Sequence, residues 1–530
     1  MLRISARRCA LPRATLATVA LRAFSSTTTV ASTPRVRVRY APSPTGYLHL
    51  GGLRTALFNY LFAKASGGDF LMRIEDTDQT RKVEGSVEAL TKSLHWCGVH
   101  EDEGPTAGGP HGPYVQSERL HIYKEHAERL IHEGHAYRCF CSQDRLASLR
   151  EAATRAGSGT MYDRACLGLT PAQVDAKLAA NEAHTVRLKV PEGKTTLKDM
   201  VRGYVQFDHS VIDDQVLMKS DGFPTYHLAN VVDDYMMQIT HVIRGEEWLS
   251  STPKHILLYN ALGYRVPQFA HLGLLLNEDR SKLSKRQGDV AVEDFQKKGF
   301  LAEGLVNFVA LLGWNPAEGS TKEIFTMPEL QAHFSMDHIN KSGSVVNIER
   351  LRWINSRHIR SLFESGAPKA DTVAVVRPYL GDVANLDAFD TEYIWGALSL
   401  MKERVSALPE FTPLVHYFFA APDLDSAESA AMRAKYFQEN TGGLEPPSVD
   451  LAVVDAIVHD VRAQLAALDS FDGKAIMDLI KRAAKERKLG VKAVLMPLRY
   501  YLTGMEVGAS LGETMEHLGK AETLARLPSA

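Results

Sequence analysis

Apolar and polar positions change their period along this chain, and each change marks an element. Val36-Arg-Val-Arg-Tyr40 alternates with period two and predicts a strand, which Pro42 and Pro44 end. From Leu50 the apolar residues Leu53, Ala56, Leu57, Tyr60 and Leu61 recur at helical spacing as far as Gly67-Gly68. Phe70-Leu-Met-Arg-Ile74 then reads as a short, mostly apolar strand. Strand, turn, helix and strand make a βαβ unit, which implies a parallel sheet with ligands at the carboxyl ends of its strands.

A helix over 83–97, the Gly- and Pro-rich loop 104–112 and a helix from Leu120 to Gly134 follow. Residues 140–222 are less patterned, with polar helices and strands at His184–Val190 and Tyr204–Asp208, and read as an insertion. Parallel patterning returns with the helix Tyr226–Asp234 and the strands Gln238–Ile243 and Phe269–Leu276. Beyond 300 helical spacing dominates, at Ala374–Leu380, Thr391–Leu408, Ser426–Tyr436, Leu451–Leu468 and Gly473–Arg487, and no strand is predicted. The expected fold class is α/β: a Rossmann-type parallel sheet with an inserted domain, followed by an all-α C-terminal region. The expected segments are a leader (1–33), the sheet domain in two halves (34–118 and 225–281), the insertion (119–224), a connecting region (282–368) and the helical module (369–530).

A 45% hydrophobic, 23% charged composition over 530 residues is that of a globular chain of several domains. No apolar run approaches the ~18 residues that span a bilayer, so no membrane partner is expected. Five cysteines, an odd number, argue for a reducing compartment and against a disulfide framework. Residues 1–33 differ in kind: Arg3, Arg7, Arg8, Arg13 and Arg22, many Ala, Ser and Thr, and no acid before Asp69. This is the composition of an organellar transit peptide, and Arg22-Ala-Phe-Ser25 resembles a matrix-protease site. The expected location is the mitochondrial matrix rather than the chloroplast; a basic arm on nucleic acid is the alternative. Removing residues 1–24 takes the formal net charge from −2 to −7, so any RNA-binding surface must be local.

Two short stretches carry chemistry. In Ala41-Pro-Ser-Pro-Thr-Gly-Tyr-Leu-His-Leu-Gly-Gly52, prolines stiffen a turn while Gly46, Gly51 and Gly52 admit a ligand close to the backbone. The helix entered near Leu50 aims free N–H groups at that loop, a natural phosphate site that His49 can join. Lys282-Leu-Ser-Lys-Arg286 is a basic loop following an apolar strand. Alone, either stretch is ordinary surface. Together they suggest two halves of one nucleotide site.

The first stretch resembles the nucleotide signature of class I aminoacyl-tRNA synthetases, in the form used by glutamyl-tRNA synthetases. His49-Leu-Gly-Gly52 matches His-Ile-Gly-His, with Gly52 replacing the second histidine, and Lys282-Leu-Ser-Lys-Arg286 matches Lys-Met-Ser-Lys-Ser. Arg73-Ile-Glu-Asp-Thr-Asp78, Gly222-Phe-Pro-Thr-Tyr-His-Leu-Ala-Asn230 and Val242-Ile-Arg-Gly-Glu-Glu-Trp248 extend the resemblance. It implies a glutamate pocket of Arg39, Ala41, Ser43, Glu75, Tyr226, Asn230 and Arg244. It implies ATP, with Mg2+, on His49, Gly51, Glu247 and Lys282, Leu283, Ser284, Lys285 and Arg286. His49, Lys282 and Lys285 are the implied catalytic residues. Adenylate formation needs positioning and charge stabilisation rather than a general base, which lysines near the β and γ phosphates supply.

The resemblance further implies L-glutamate and tRNA-Glu as partners and a monomer. The insertion would meet the acceptor end of tRNA, segment 282–368 its stem, and the helical module its anticodon, read by Arg404. The run Lys481, Arg482, Lys485, Arg487, Lys488 and Lys492 is a candidate phosphate patch. Charging of tRNA-Gln as well stays open, as does a noncatalytic RNA-binding descendant. A glutaminyl enzyme is disfavoured by Pro-Ser-Pro and Ile-Glu-Asp-Thr-Asp, where that branch reads Phe-Asp-Asp-Thr-Asn. Cys139, Cys141 and Cys166 match a zinc-binding spacing, with Tyr162 as a weak fourth donor and Gly168 where a histidine is wanted. Zinc is possible, but free buried cysteines are the favoured reading.

Overall fold

The computed structural model describes residues 35–530 except 158–160, 284–290, 318, 382, 384–385, 427–428, 431–432, 434–450 and 530. The predicted βαβ unit forms at the start. Strand β1 (Arg37–Tyr40) leads through the proline turn into helix α1 (Leu50–Ala65), and β2 (Asp69–Met72) returns parallel to β1, Arg39 facing Leu71. Leu53, Ala56, Leu57, Phe58 and Leu61 of α1 are buried against the sheet and the helix Ala302–Ala310, in one apolar core. Helix α2 (Ser86–Trp96) is shorter than the expected 83–97, because Gly85 takes a positive φ of 72° at its start.

Helix α3 (Leu120–His132) opens the intervening segment. Strand β3 (Ala136–Cys139) pairs antiparallel with β4 (Thr185–Leu188), and β4 with β7 (Val216–Met218). A hairpin of β5 (Lys194–Asp199) and β6 (Gly203–Asp208) lies between them in sequence, and α4 (Gln143–Arg155) and α5 (Pro171–Ala179) are its polar helices. Pairing here is antiparallel, against the parallel pairing of the strands before and after it in the chain.

Helix α6 (Tyr226–Met236) brings the chain back to β8 (His241–Gly245), which pairs parallel with β9 (Gln268–Leu272) across α7 (Thr252–Ala261). β8 starts three residues later than the expected Gln238, because Gln238 takes a positive φ of 57° in the turn after α6. The Thr240 N–H donates to the Arg37 carbonyl at 2.9 Å, setting β8 beside β1. The expectation of no strand beyond residue 300 fails: Ser344–Val345 is a two-residue strand, parallel to Leu275–Leu276. Two residues are too short to produce a period.

Helices then follow one another, among them Ile348–Glu364, Thr391–Met401, Leu451–Ala466, Gly473–Glu486 and Val491–Thr503, around a second apolar core. The expected helix Thr391–Leu408 stops at Met401 and gives way to tight turns. Most of the expected helix Ser426–Tyr436 lies outside the described residues. Among the described residues no helix is long and apolar enough to cross a membrane.

Candidate active site

The carboxyl ends of β1, β2 and β8 and the start of α1 surround a cavity of about 690 Å³. His49 caps α1: its Nδ1 accepts the Gly52 N–H at 3.2 Å, which leaves the proton on Nε2 and makes that nitrogen the donor. A Cβ on Gly52 would stand 2.7 Å from the buried Tyr40 hydroxyl and 3.1 Å from Leu48. The second histidine of the resembled motif therefore has no room here, and Tyr40 is the reason.

One end of the cavity is a knot of buried charge. Arg73, with no exposed surface, donates to Asp234 at 2.7 Å and to Glu75 at 3.0 Å. Arg39 donates to Asp234 at 3.0 Å, and the Asn230 amide to Glu75 at 3.1 Å. Both recorded bonds to Glu75 end on Oε1. Burial raises the Glu75 pKa although Arg73 and Arg39 oppose it; at Asp234 burial pushes the same way, but Arg39 and Arg73 win and hold that pKa down. Next along α6, Asp233 binds Arg119, Tyr123 and Gln116 at 2.7, 2.8 and 2.8 Å and ties the pocket floor to α3.

Arg244, 4% exposed, is held differently. Its guanidinium donates to Tyr226 Oη and His255 Nδ1, each at 3.2 Å, to His271 Nε2 at 3.1 Å and to Thr252 Oγ1 at 2.9 Å. Among the described residues no carboxylate forms an ion pair with it. A buried cation without a counter-ion is costly, and its planar fork suits a carboxylate. The Tyr226 ring packs on Trp248, centroids 4.2 Å apart.

At the other end Glu247 is exposed, its carboxylate folded so close over Gly245 that a Cβ there would lie 2.3 Å away. Behind it Arg54 donates to the Gly273 carbonyl at 2.5 Å, and burial, opposed by Glu247 and Glu246, pulls its pKa down to about 10. Lys282 bridges Leu276, and the Leu283 N–H donates to Leu275 at 2.9 Å.

The structure thus brings Arg39, Ala41, Ser43, His49, Gly51, Glu75, Tyr226, Asn230, Arg244, Glu247, Lys282 and Leu283 to one cavity. Ser284, Lys285 and Arg286 lie outside the described residues. Sequence reading missed Tyr40 and Trp248 in the lining and Arg73, Asp233 and Asp234 as the frame behind it. Arg73 stood inside a quoted stretch and Asp234 at the end of an expected helix, and a charged residue in an apolar strand was the available signal.

Elsewhere, the Cys139, Cys141 and Cys166 sulfurs lie within 4.8 Å of one another. The Tyr162 hydroxyl stands 3.4 and 3.3 Å from the first two, and Cys141 and Cys166 are 3.6 Å apart. Only Cys139 is fully buried, so the expectation of three buried thiols holds for one. Three sulfurs so gathered suit three corners of a zinc site, and the Tyr162 hydroxyl is the nearby oxygen for the fourth. Arg404 sits exposed on the turn after Thr391–Met401. In the basic run, Arg487 is half-buried and paired with Asp460, which leaves five exposed cations there.

Residues 35–353 match the catalytic domain of the class I tRNA synthetases for E and Q, and 371–530 an anticodon-binding domain. The chain is 46% identical over 506 residues to a glutamate–tRNA ligase of Chloroherpeton thalassium, covering 93% of this chain and 97% of the relative. A glutamate–tRNA ligase of Clostridioides difficile is 42% identical over 509 residues, covering 93% and 98%. A solved glutamate–tRNA ligase of Elizabethkingia meningosepticum, in complex with its amino acid, superposes with a TM-score of 0.82 at 35% identity, over 93% and 98% of the two chains. On these matches the chain belongs to the class I tRNA synthetases, in the glutamate–tRNA ligase family.

Proposed function

We propose that this chain activates glutamate with ATP and esterifies it to tRNA in the mitochondrial matrix. The observation that carries the reading is Arg244: a buried guanidinium that pairs with no carboxylate among the described residues, in the same cavity as Glu75 and His49. In this reading the substrate ammonium meets Glu75 Oε2 and the side-chain carboxylate completes Arg244. The α-carboxylate oxygen attacks the α-phosphorus of ATP, which enters as its magnesium complex, and the bond to pyrophosphate breaks. A hydroxyl of the terminal tRNA adenosine then attacks the acyl carbon, and AMP leaves. His49, Lys282 and Lys285 meet the phosphate charge; one placed donor contributes about 3 kcal/mol to such a transition state.

The antiparallel layer of 119–224 takes the acceptor end, and the helical region, with Arg404 exposed, takes the anticodon. Cys139, Cys141 and Cys166, with the Tyr162 oxygen, hold a structural zinc ion within the acceptor-binding layer; metal analysis of the purified protein finds about one zinc per chain, and a metal-free folded protein overturns it. The acid-free leader lies outside the family match, which begins at residue 35, and supports the organellar assignment. A reporter fused to residues 1–33 enters mitochondria; a cytosolic reporter would contradict this.

Pyrophosphate exchange tests the activity, run with each amino acid with and without tRNA. Exchange driven by glutamate supports it, exchange driven by glutamine sinks the glutamate assignment, and no exchange favours a protein that only binds RNA. Charging of tRNA-Glu and tRNA-Gln in parallel settles which tRNA is used.

A further inference from the structure

The cation of the amino-acid pocket is set by a carboxylate that never touches it. Arg244 Nε–H points at His271 Nε2, 3.1 Å away, so that nitrogen must accept and the proton of the imidazole must sit on Nδ1. His271 Nδ1 lies 2.6 Å from Asp199 Oδ2, and both side chains are without exposed surface. The tautomer that Arg244 requires is thus the one that Asp199 imposes. Burial keeps the His271 pKa low, although Asp199 raises it, so the ring is neutral. At Asp199 burial pushes the pKa up, but His271 and two backbone N–H groups outweigh it and hold the carboxyl ionised.

Asp199 is itself locked. Its Oδ1 accepts the backbone N–H groups of Val201 and Arg202, both at 2.9 Å, and of His271 at 3.2 Å. It ends β5, a strand of the inserted layer, while the Met200 N–H donates to the Phe269 carbonyl of β9 at 2.8 Å. From Arg244 the other direction is also filled by neutral groups. His255 Nδ1 accepts from the guanidinium, and His255 Nε2 donates to His227 Nδ1 at 3.0 Å.

The geometry points to Asp199 and His271 as positioning residues of the amino-acid pocket, an Asp–His relay that fixes the rotation of Arg244 from the inserted layer. This rests on the reading of Arg244 as the receptor for the substrate's side-chain carboxylate. The arrangement places the Asp199 carboxylate one imidazole away from the guanidinium. The guanidinium is oriented by acceptors, and its charge is left for the ligand.

The isosteric variant Asp199→Asn makes a sharp prediction. Three backbone N–H groups demand an oxygen at the Oδ1 position, so the amide nitrogen must take the Oδ2 position and face His271 Nδ1. It donates there, the imidazole proton moves to Nε2, and two N–H donors then confront each other at Arg244. The measured quantities are KM for glutamate and for ATP in pyrophosphate exchange with tRNA present, with melting curves for every variant. Asp199→Asn raises KM for glutamate about 10- to 100-fold and leaves KM for ATP within about twofold. His271→Gln keeps an acceptor near Nε2 and costs little; His271→Met, of similar volume without that acceptor, costs as much as Asp199→Asn. In the His271→Gln background, Asp199→Asn adds almost nothing, because its path to Arg244 is gone.

Unchanged glutamate KM in Asp199→Asn, an equal penalty in both backgrounds, or equal effects of His271→Gln and His271→Met overturn the relay. If Asp199→Asn does not fold, the comparison of Gln with Met at 271 still decides. If wild type shows no glutamate-dependent exchange, the proposed function fails; if Arg244→Lys alone raises glutamate KM, only the relay does.

Discussion

The two ends of the cavity are built on opposite plans. At the end proposed to take the amino acid, Arg39, Glu75, Asn230 and Arg244 are all buried, and each has at least one fixed hydrogen-bond partner. At the end proposed to take the nucleotide, Glu247 and Lys282 are exposed, and the ordered features are a helix start, two glycines and His49. The difference follows from what each ligand offers. In the proposed reading ATP brings several charges that a helix N-terminus and lysines meet in partly wet surroundings. Glutamate differs from glutamine by one ionised group, and only a desolvated, preorganised cation converts that group into a large free-energy difference. Desolvation is completed during folding, not at binding.

Breaking the buried end should therefore cost most. Glu75→Gln removes the anion from a site that Arg73 and Asn230 already orient, and should raise KM for glutamate roughly 100-fold, about 3 kcal/mol. ATP binding measured without the amino acid should hardly move. At the wet end Lys282→Ala should lower kcat by 10- to 100-fold, roughly 2 kcal/mol, while KM for glutamate stays within about twofold. Equal losses in both terms would erase the distinction between the ends.

A finer probe sits at the joint between them. Gly52→Ala forces a methyl against the Tyr40 hydroxyl and should cost about 1–3 kcal/mol in stability or nucleotide binding. Tyr40→Phe in the same chain should recover part of it, and no recovery would place the strain elsewhere.

The smallest effect is a pH dependence of stability. Burial drives His227 down to about 4 and lowers His255 and His271, so all three fold as neutral rings. Their unfolded pKa is near 6.5, so between pH 6.5 and 4 the unfolded chain binds more protons and stability falls with pH. For His227 this reaches at most roughly 2 kcal/mol at pH 5. Melting at pH 7.5 and at pH 5 reads it; a flat profile would mean that the rings charge without penalty.

Much of this site was legible because its parts are local words. The loop 41–52 and the start of the lysine loop are contiguous in sequence, and their chemistry needs neighbours along the chain. Glu75 and Arg244 come together in the cavity because each sits at a strand end, and Tyr226 and Asn230 because they stand four apart on the helix that begins there. The supporting network was not legible. Asp199 and His271 are 72 residues apart in two different layers, and no period or spacing links them. The same holds for Tyr40 against Gly52, a contact across a strand and a helix start that sequence shows only as a missing histidine. The strand Ser344–Val345 escaped for a simpler reason, since its partner supplies the pairing that its own two residues cannot announce.

The claim that a preset, uncompensated cation selects the substrate is tested most directly at Arg244. The measurement is the ratio of kcat/KM for glutamate over glutamine, in wild type and in Arg244→Gln, by pyrophosphate exchange with tRNA present. The account predicts that the glutamate term falls at least 100-fold, about 3 kcal/mol, while the glutamine term changes little, so the ratio collapses. A parallel fall of both terms, with the ratio preserved, would contradict it.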